Sequence, residues 1–226
     1  DLLTDSIQFD AVVKTTPYGS LEVIPSHIRL VGAEIELVSF PERELVLKNA
    51  LKPARDRYDF ILMDCPPSLG LLTLNGLAAA NGVLVPLQAE YFALEGLTQL
   101  LQTIRLVQKR INPALRLEGI FLTMFDPRLN LARQVREELL RYFPEHTFNT
   151  IINRNVRLAE APSYGKPIMH FAVSSPGARD YLALAEELLE RHKRLAPNDI
   201  PDSEAELQPL ETGNRELIKG IVSYEQ

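Results

Sequence analysis

The sequence predicts an α/β fold: a doubly wound, mostly parallel sheet with helices on both faces. Short apolar runs of strand length alternate along the chain with longer segments whose apolar residues recur at helical spacing. The run from Phe60 to Met63 contains no polar residue, which is typical of a strand buried on both faces. Strand–helix–strand connections of this kind are almost always right-handed. We therefore expect helices that cross over between parallel strands.

The first half of the chain contains four predicted elements. Pro25 closes a weakly alternating strand, Ser26 is an N-cap, and Pro41 suits the first turn of a helix. Pro66 and Pro67 then bar continuation of the apolar run as strand or helix. The predicted order is a strand over 21–25, a helix from Ser26 to about Val38, a helix from Pro41, and a buried strand that ends at Asp64.

The second half continues the alternation of helix and strand. Apolar residues at helical spacing predict an amphipathic helix over 94–110, and runs over 83–87 and 119–125 predict buried strands. The remaining elements follow from shorter patterns of the same kind. They are helices over 71–80 and 130–143, a short strand over 147–152, a short helix from Asn155 and a last helix over 178–195.

The composition is that of a globular protein. The chain has 226 residues, 46% of them hydrophobic and 24% charged, which is enough for one domain with a sizeable core. Cys65 is the single cysteine, so an internal disulfide and a zinc cluster of cysteines are excluded. No apolar run is long enough to cross a bilayer. We therefore expect a cytoplasmic protein with no membrane attachment.

The charge is unevenly distributed. The net charge is −6, yet residues 105–166 carry eleven Lys and Arg against six Asp and Glu. Residues 197–226 hold seven acids and two bases, together with three prolines. We predict that residues 1–196 form the α/β domain and that residues 197–226 are an acidic, flexible tail.

Asp64 is the first candidate site residue. An acid at the carboxyl end of a central parallel strand lies where open α/β sheets bind ligands. In folds that handle phosphate, an aspartate there holds Mg²⁺, commonly through water. The alternative interpretation is that Asp64 simply ends a core strand.

Four separate segments carry a resemblance to a known family. The segment D-C-P-P-S-L-G-L-L-T-L-N, from Asp64 to Asn75, closely resembles the Walker B segment of the ParA/Soj chromosome- and plasmid-partition ATPases. The resemblance continues through Q-A-E-Y-F-A-L-E-G-L at 88–97, L-T-M-F-D at 122–126 and N-V-R-L-A-E-A-P at 155–162. It covers roughly residues 10 to 195 with near-constant spacing.

The resemblance implies a P-loop NTPase-like fold and a function. It implies an ATP-dependent dimer that binds DNA non-specifically and hydrolyses ATP during chromosome or plasmid segregation. The expected cofactors are ATP and Mg²⁺, with Asp64 as the catalytic Walker B residue on a magnesium-bound water. The expected partners are DNA, a centromere-binding ParB/Spo0J-type protein and a second copy of the chain, and the expected location is the nucleoid in the cytoplasm.

Further site residues follow from the same resemblance. Arg128 and Arg157 match positions that contribute to DNA binding, although both arginines could instead be surface residues paired with Asp126 or Glu160. Thr123, Met124 and Asn153 match the surroundings of the adenine. Asn153 stands where the family commonly has proline, and this exchange is expected to loosen the loop.

The phosphate-binding motif of the family is not found in these residues. No G-x-x-x-x-G-K-[ST] occurs, whereas the family carries K-G-G-V-G-K-T-T near its N-terminus. The backbone N–H groups and lysine of such a loop supply most of the phosphate binding. We expect a truncated copy that lacks the P-loop strand and first helix and is inactive alone. The alternative is a non-hydrolysing homologue that serves as a binding module for DNA or for a partner ATPase.

Overall fold

The computed structural model describes residues 2–4, 7–27, 30–66, 68 and 70–194. It contains two compact units. Unit 1 comprises residues 1–83 and 102–116, and unit 2 comprises residues 84–101 and those from 117 onwards. The predicted tail, residues 197–226, lies outside the described residues.

The predicted alternation of helix and strand is present over residues 71–142, whereas consecutive helices precede and follow this region. The strands are β1 (Lys14–Thr15), β2 (Glu22–Val23), β3 (Gly82–Gln88) and β4 (Arg116–Thr123). The α-helices are α1 (Phe9–Val12), α2 (Leu30–Leu37), α3 (Val46–Ala50), α4 (Leu71–Ala79), α5 (Ala93–Arg110), α6 (Asn130–Tyr142), α7 (Val156–Glu160), α8 (Ile168–Phe171) and α9 (Pro176–Arg194). Short 3-10 helices cover Leu2–Thr4, Lys52–Ala54 and Ala161–Tyr164.

The longer helices and strands predicted after residue 70 are confirmed. Helices α4, α5, α6 and α9 and strands β3 and β4 fall within a few residues of their predicted positions. In α5 the residues at helical spacing are the buried ones: Leu94, Leu97, Leu101, Ile104 and Val107. In the part of the chain that the structure describes, no helix is long and apolar enough to span a bilayer.

The prediction of a central strand before Asp64 is wrong. Residues Phe60–Met63 are not in a strand, and the side chain of Leu62 is 84% exposed. A strand needs a neighbouring backbone to hydrogen-bond, and the apolar pattern of one segment cannot supply that neighbour. Met63, at the end of this run, packs against a buried cluster that is formed by Phe9, Leu51 and Ala54.

Smaller differences lie in the first half of the chain. The predicted strand over 21–25 is the two-residue β2, which pairs antiparallel with β1. The helix expected from Ser26 is described only from Leu30. Residues 41–44 form turns, so the helix expected from Pro41 begins at Val46.

Unit 2 is organised around β4. Strands β3 and β4 are hydrogen-bonded neighbours, and parallel bridges join β4 residue Ile120 to Thr147 and the following Phe125 to Asn153. The predicted strand over 147–152 is therefore present only as isolated bridges. The backbone N–H groups of Asn149 and Thr150 donate to the Glu187 carboxylate of α9, at 2.9 and 2.8 Å, and this side-chain pairing accompanies the break in the ladder.

A buried side-chain amide connects helices α3 and α4 of unit 1. Asn75 of α4 is fully buried, and its Nδ2 donates to the carbonyls of Arg43 (2.8 Å) and Leu71 (3.0 Å). Its Oδ1 accepts from the backbone N–H of Leu47 at 3.0 Å. One side chain thus satisfies backbone groups of α4, of α3 and of the turn before α3.

Replacing Asn75 by Ala is expected to lower the free energy of unfolding by about 2–4 kcal/mol, because buried backbone groups would lose their partners. Urea unfolding followed by circular dichroism measures the change. Asn81→Ala, at an exposed asparagine, is the control and is expected to change stability by less than about 0.5 kcal/mol. Equal stability of the two variants would contradict this role of Asn75.

Candidate functional site

The first group of candidate residues lies at the carboxyl edge of β4. Thr123 is the last residue of β4, and Met124 and Phe125 follow it. Phe125 donates its N–H to the carbonyl of Ile152 (3.1 Å), and Arg154 donates to the carbonyl of Phe125 (2.9 Å). These two bonds bring the residues predicted to surround adenine, Thr123, Met124 and Asn153, to one edge of unit 2.

Met124 has an unusual backbone conformation. Its φ is 50°, in the left-handed region that non-glycine residues seldom adopt, and its side chain is largely exposed. Such conformations cost about 1–3 kcal/mol and cluster at ligand sites. The exposed thioether offers a soft, apolar surface at the rim of the sheet.

Asn153 is held in place by hydrogen bonds to a side chain of α9. Its backbone N–H and its Nδ2 both donate to Oδ2 of Asp180, at 3.0 and 3.1 Å. Asn153 lacks the fixed φ of a proline, but these two hydrogen bonds restrain the loop. The loosening expected from the loss of proline is therefore offset by a side chain that lies far away in the sequence.

Arg128 is paired with Asp126. Its Nη2 lies 2.6 Å from Asp126 Oδ2, its Nε lies 2.9 Å from Oδ1, and its backbone N–H donates to Oδ1 at 3.0 Å. The hydrogen bonds from Arg128, aided by the charge of Arg154, lower the pKa of Asp126 to about 2. The Arg128 side chain is nonetheless 85% exposed, so its guanidinium is open to solvent.

Arg157 has a comparable arrangement at the start of α7. Asn155 is the N-cap, and its Oδ1 accepts the backbone N–H of Arg157 at 2.9 Å. Arg157 Nη1 lies 2.8 Å from Oε2 of Glu160, and the arginine side chain is 60% exposed. The ion pairs named as the alternative interpretation are therefore both formed. Because both arginine side chains are exposed, the pairs orient the guanidinium groups and still leave them accessible to another anion.

Other exposed arginines belong to the same unit. Arg133 and Arg136 are three residues apart on α6 and so share one side of that helix. Arg133 donates to Asn130, and Arg154 follows the bridge at Asn153. The exposed arginines of unit 2 named so far are Arg128, Arg133, Arg136, Arg154 and Arg157.

Asp64 belongs to unit 1. Its side chain is exposed, and burial together with the nearby Asp64 carboxylate raises the pKa of the Cys65 thiol. Among the described residues there is no group of three or more His, Cys, Asp or Glu arranged to hold a metal. A single exposed carboxylate fits a hydrated Mg²⁺, which keeps most of its waters and takes one or two carboxylates.

Two acids of α9 were missed by the sequence reasoning. Asp180 holds Asn153, and Glu187 holds the backbone of Asn149 and Thr150. Burial opposes the ionisation of Glu187, but these hydrogen bonds and one from Arg191 outweigh it and lower its pKa. The spacing of seven residues, which places both acids on one side of a helix, was the signal that could have found them.

Comparison with solved structures defines the class of protein. Cobyrinic acid a,c-diamide synthase from Mycobacterium smegmatis, solved with a bound ATP analog and magnesium, matches with a TM-score of 0.71 and 35% identity. The match covers 85% of this chain and 71% of that one. A family model described as an AAA domain matches residues 1–117. The chain is therefore an α/β protein of the P-loop NTPase class.

Comparison of sequences gives the family. The chromosome-partitioning ATPase Soj of Treponema pallidum is 54% identical over 191 residues, which cover 84% of this chain and 76% of that protein. The sporulation initiation inhibitor protein Soj of Bacillus subtilis is 53% identical over 188 residues, 83% of this chain and 74% of that protein. The chain belongs to the Soj/ParA family of partition proteins.

Replacing Arg128 by Ala is expected to raise the pKa of Asp126 from about 2 towards its ordinary value of 3.8, because its main hydrogen-bond donor is lost. The folded-state pKa is depressed, so the pair stabilises the fold above about pH 4 and this contribution is lost as the pH falls towards 2. NMR titration of the Asp126 carboxyl measures the shift. Arg133→Ala is the control, and an unchanged Asp126 titration in Arg128→Ala would refute the pairing.

Proposed function

We propose that this ParA/Soj-like partition protein binds DNA without sequence specificity as an ATP-dependent dimer and hydrolyses ATP during chromosome or plasmid segregation. The observation that carries the DNA-binding part is the pair of exposed arginines, Arg128 and Arg157. Each is oriented by an acid at a short distance. The Soj relative from Treponema pallidum is named as an ATPase, which does not favour the alternative of a non-hydrolysing binding module.

Phosphate contacts explain why these arginines suit non-specific binding. Arginines on loops and helix starts reach the DNA backbone without reading base edges, so they supply affinity that depends on salt and not on sequence. Asp126 and Glu160 orient the guanidinium groups of Arg128 and Arg157 before DNA arrives. A phosphate then replaces each carboxylate on its guanidinium group or shares that group with it. Arg136 and Arg154 add positive charge in the same unit.

Nucleotide binding is proposed for two separate sets of residues. Thr123, Met124 and Asn153 would lie against the adenine, where the exposed Met124 side chain provides apolar contact. Asp64 would hold Mg²⁺ through water, and the metal supplies charge neutralisation at the phosphates. The proposed partners are DNA, a second copy of the chain and a centromere-binding ParB/Spo0J-type protein, and the proposed location is the nucleoid in the cytoplasm.

Replacing Arg157 by Glu is expected to weaken binding to duplex DNA and to reduce the slope of log affinity against log salt by about 1, because one phosphate contact is lost. Glu160→Gln should strengthen binding, since it removes a negative charge that repels the DNA phosphates. Fluorescence anisotropy across a salt titration measures both effects. Arg110→Glu makes the same charge change at the exposed end of α5 and is the control. Unchanged binding in Arg157→Glu would remove this residue from the site.

Replacing Asp64 by Ala is expected to lower magnesium-dependent ATP turnover about 100-fold or more, in a form of the protein that hydrolyses ATP, because the metal loses its protein anchor. Phosphate release at varied Mg²⁺ concentration measures the loss. Asp59→Ala changes another exposed acid of the same segment and is expected to behave as the parent protein. Normal turnover in Asp64→Ala would rule out the Walker B assignment.

A further inference from the structure

An exposed aromatic ring follows α7, the helix that carries Arg157. Tyr164 is the last residue of the 3-10 helix Ala161–Tyr164 and is 65% exposed. Its ring stacks on that of Phe171 of α8, with centroids 4.8 Å apart and an interplanar angle of 29°. Phe171 therefore covers one face of the tyrosine ring, and the large exposed fraction leaves the opposite face to solvent.

The backbone fixes the position of this ring. Gly165 caps the 3-10 helix with a φ of 61° in the left-handed region, and its N–H donates to the carbonyl of Pro162 at 3.0 Å. Lys166 then donates its N–H to the carbonyl of Ala161 at 3.3 Å. The turn therefore holds Tyr164 at the end of the helix, and the stack on Phe171 limits the rotation of its side chain.

Arg157 and Tyr164 belong to one continuous helical run. Helix α7 ends at Glu160 and the 3-10 helix begins at Ala161, so the two residues are seven positions apart in an unbroken helical segment. The rises of the two helix types place them about 12 Å apart along the axis, with a rotation of about 60° between them.

The charge around Tyr164 suits a polyanion. Residues 154–170 carry three bases, Arg154, Arg157 and Lys166, against the single acid Glu160. Glu160 is paired with Arg157, and Lys166 is exposed two residues after the tyrosine. An exposed aromatic ring among basic side chains is the combination with which proteins bind single-stranded nucleic acid, since a base stacks on the ring while phosphates meet the cations.

We propose that Tyr164 is a stacking platform for an unpaired base, so that this surface binds single-stranded DNA as well as duplex DNA. The proposal rests on the proposed DNA-binding function and names a second substrate class for the same surface. The base continues the stack that Phe171 begins, and Lys166 and Arg157 contact phosphates of the same strand. Duplex DNA gains nothing from the ring, because its bases are already stacked on each other.

The test compares oligo(dT) of about 20 nucleotides with a duplex of equal length, by fluorescence anisotropy at several salt concentrations. Tyr164→Ala is expected to weaken oligo(dT) binding by about 5- to 150-fold, the equivalent of one lost base–aromatic stack. Its duplex affinity should stay within about twofold of wild type. Tyr164→Phe keeps the ring and should bind oligo(dT) as the wild type does. Tyr181→Ala, at another partly exposed tyrosine of unit 2, is the matched control.

The outcomes separate this proposal from the proposed function. Wild-type affinity for oligo(dT) in Tyr164→Ala, or an equal loss for both ligands, overturns the stacking platform. Absence of duplex binding in the wild type when ATP and Mg²⁺ are present overturns the proposed function, while a Tyr164-dependent affinity for oligo(dT) would still support the platform. If Tyr164→Ala fails to fold, the proposal is tested by photocrosslinking the wild type to oligo(dT) that carries 5-iododeoxyuridine. An adduct on Tyr164 supports the proposal, and adducts only elsewhere refute it.

Discussion

The hydrogen bonds between β4 and residues 146–154 are the constraint on which the candidate site of unit 2 depends. Ile120 and Phe125 exchange backbone bonds with this segment, and α9 holds the same segment through Asp180 and Glu187. The loop after β4 and the loop before α7 are therefore fixed at one edge. Without these bonds, Met124 and Asn153 would be two loop residues about thirty positions apart in sequence, with no reason to meet.

The acids around the arginines show that a structural and a functional interpretation of one residue are compatible. Asp126 and Glu160 pair with Arg128 and Arg157, which is what an ordinary solvated surface would also show. Both arginine side chains are exposed, so the pairs restrict the arginine rotamers without withdrawing the positive charges from solvent. A surface prepared in this way loses less side-chain entropy when it binds a phosphate backbone.

The segment before Asp64 shows how far an apolar pattern can be interpreted. Phe60, Ile61 and Leu62 have the composition of a buried strand but are exposed, whereas Met63 packs on a cluster of unit 1. Burial on both faces of a strand requires layers above and below it and strands on each side. Those are properties of the surroundings, and four apolar residues in a row do not contain them.

The sequence by itself determined the class of fold, the family and the long amphipathic elements, because helical spacing over 94–110 and 130–143 and the Walker B-like segment are local patterns. It also indicated Arg128 and Arg157 together with the acids that hold them. Only the tertiary structure decided that Asp180 restrains Asn153, that Met124 adopts a left-handed conformation, and that Tyr164 stacks on Phe171. The physical reason is that these features depend on contacts between residues distant in sequence or on backbone angles set by packing, and neither leaves a periodic signal in the chain.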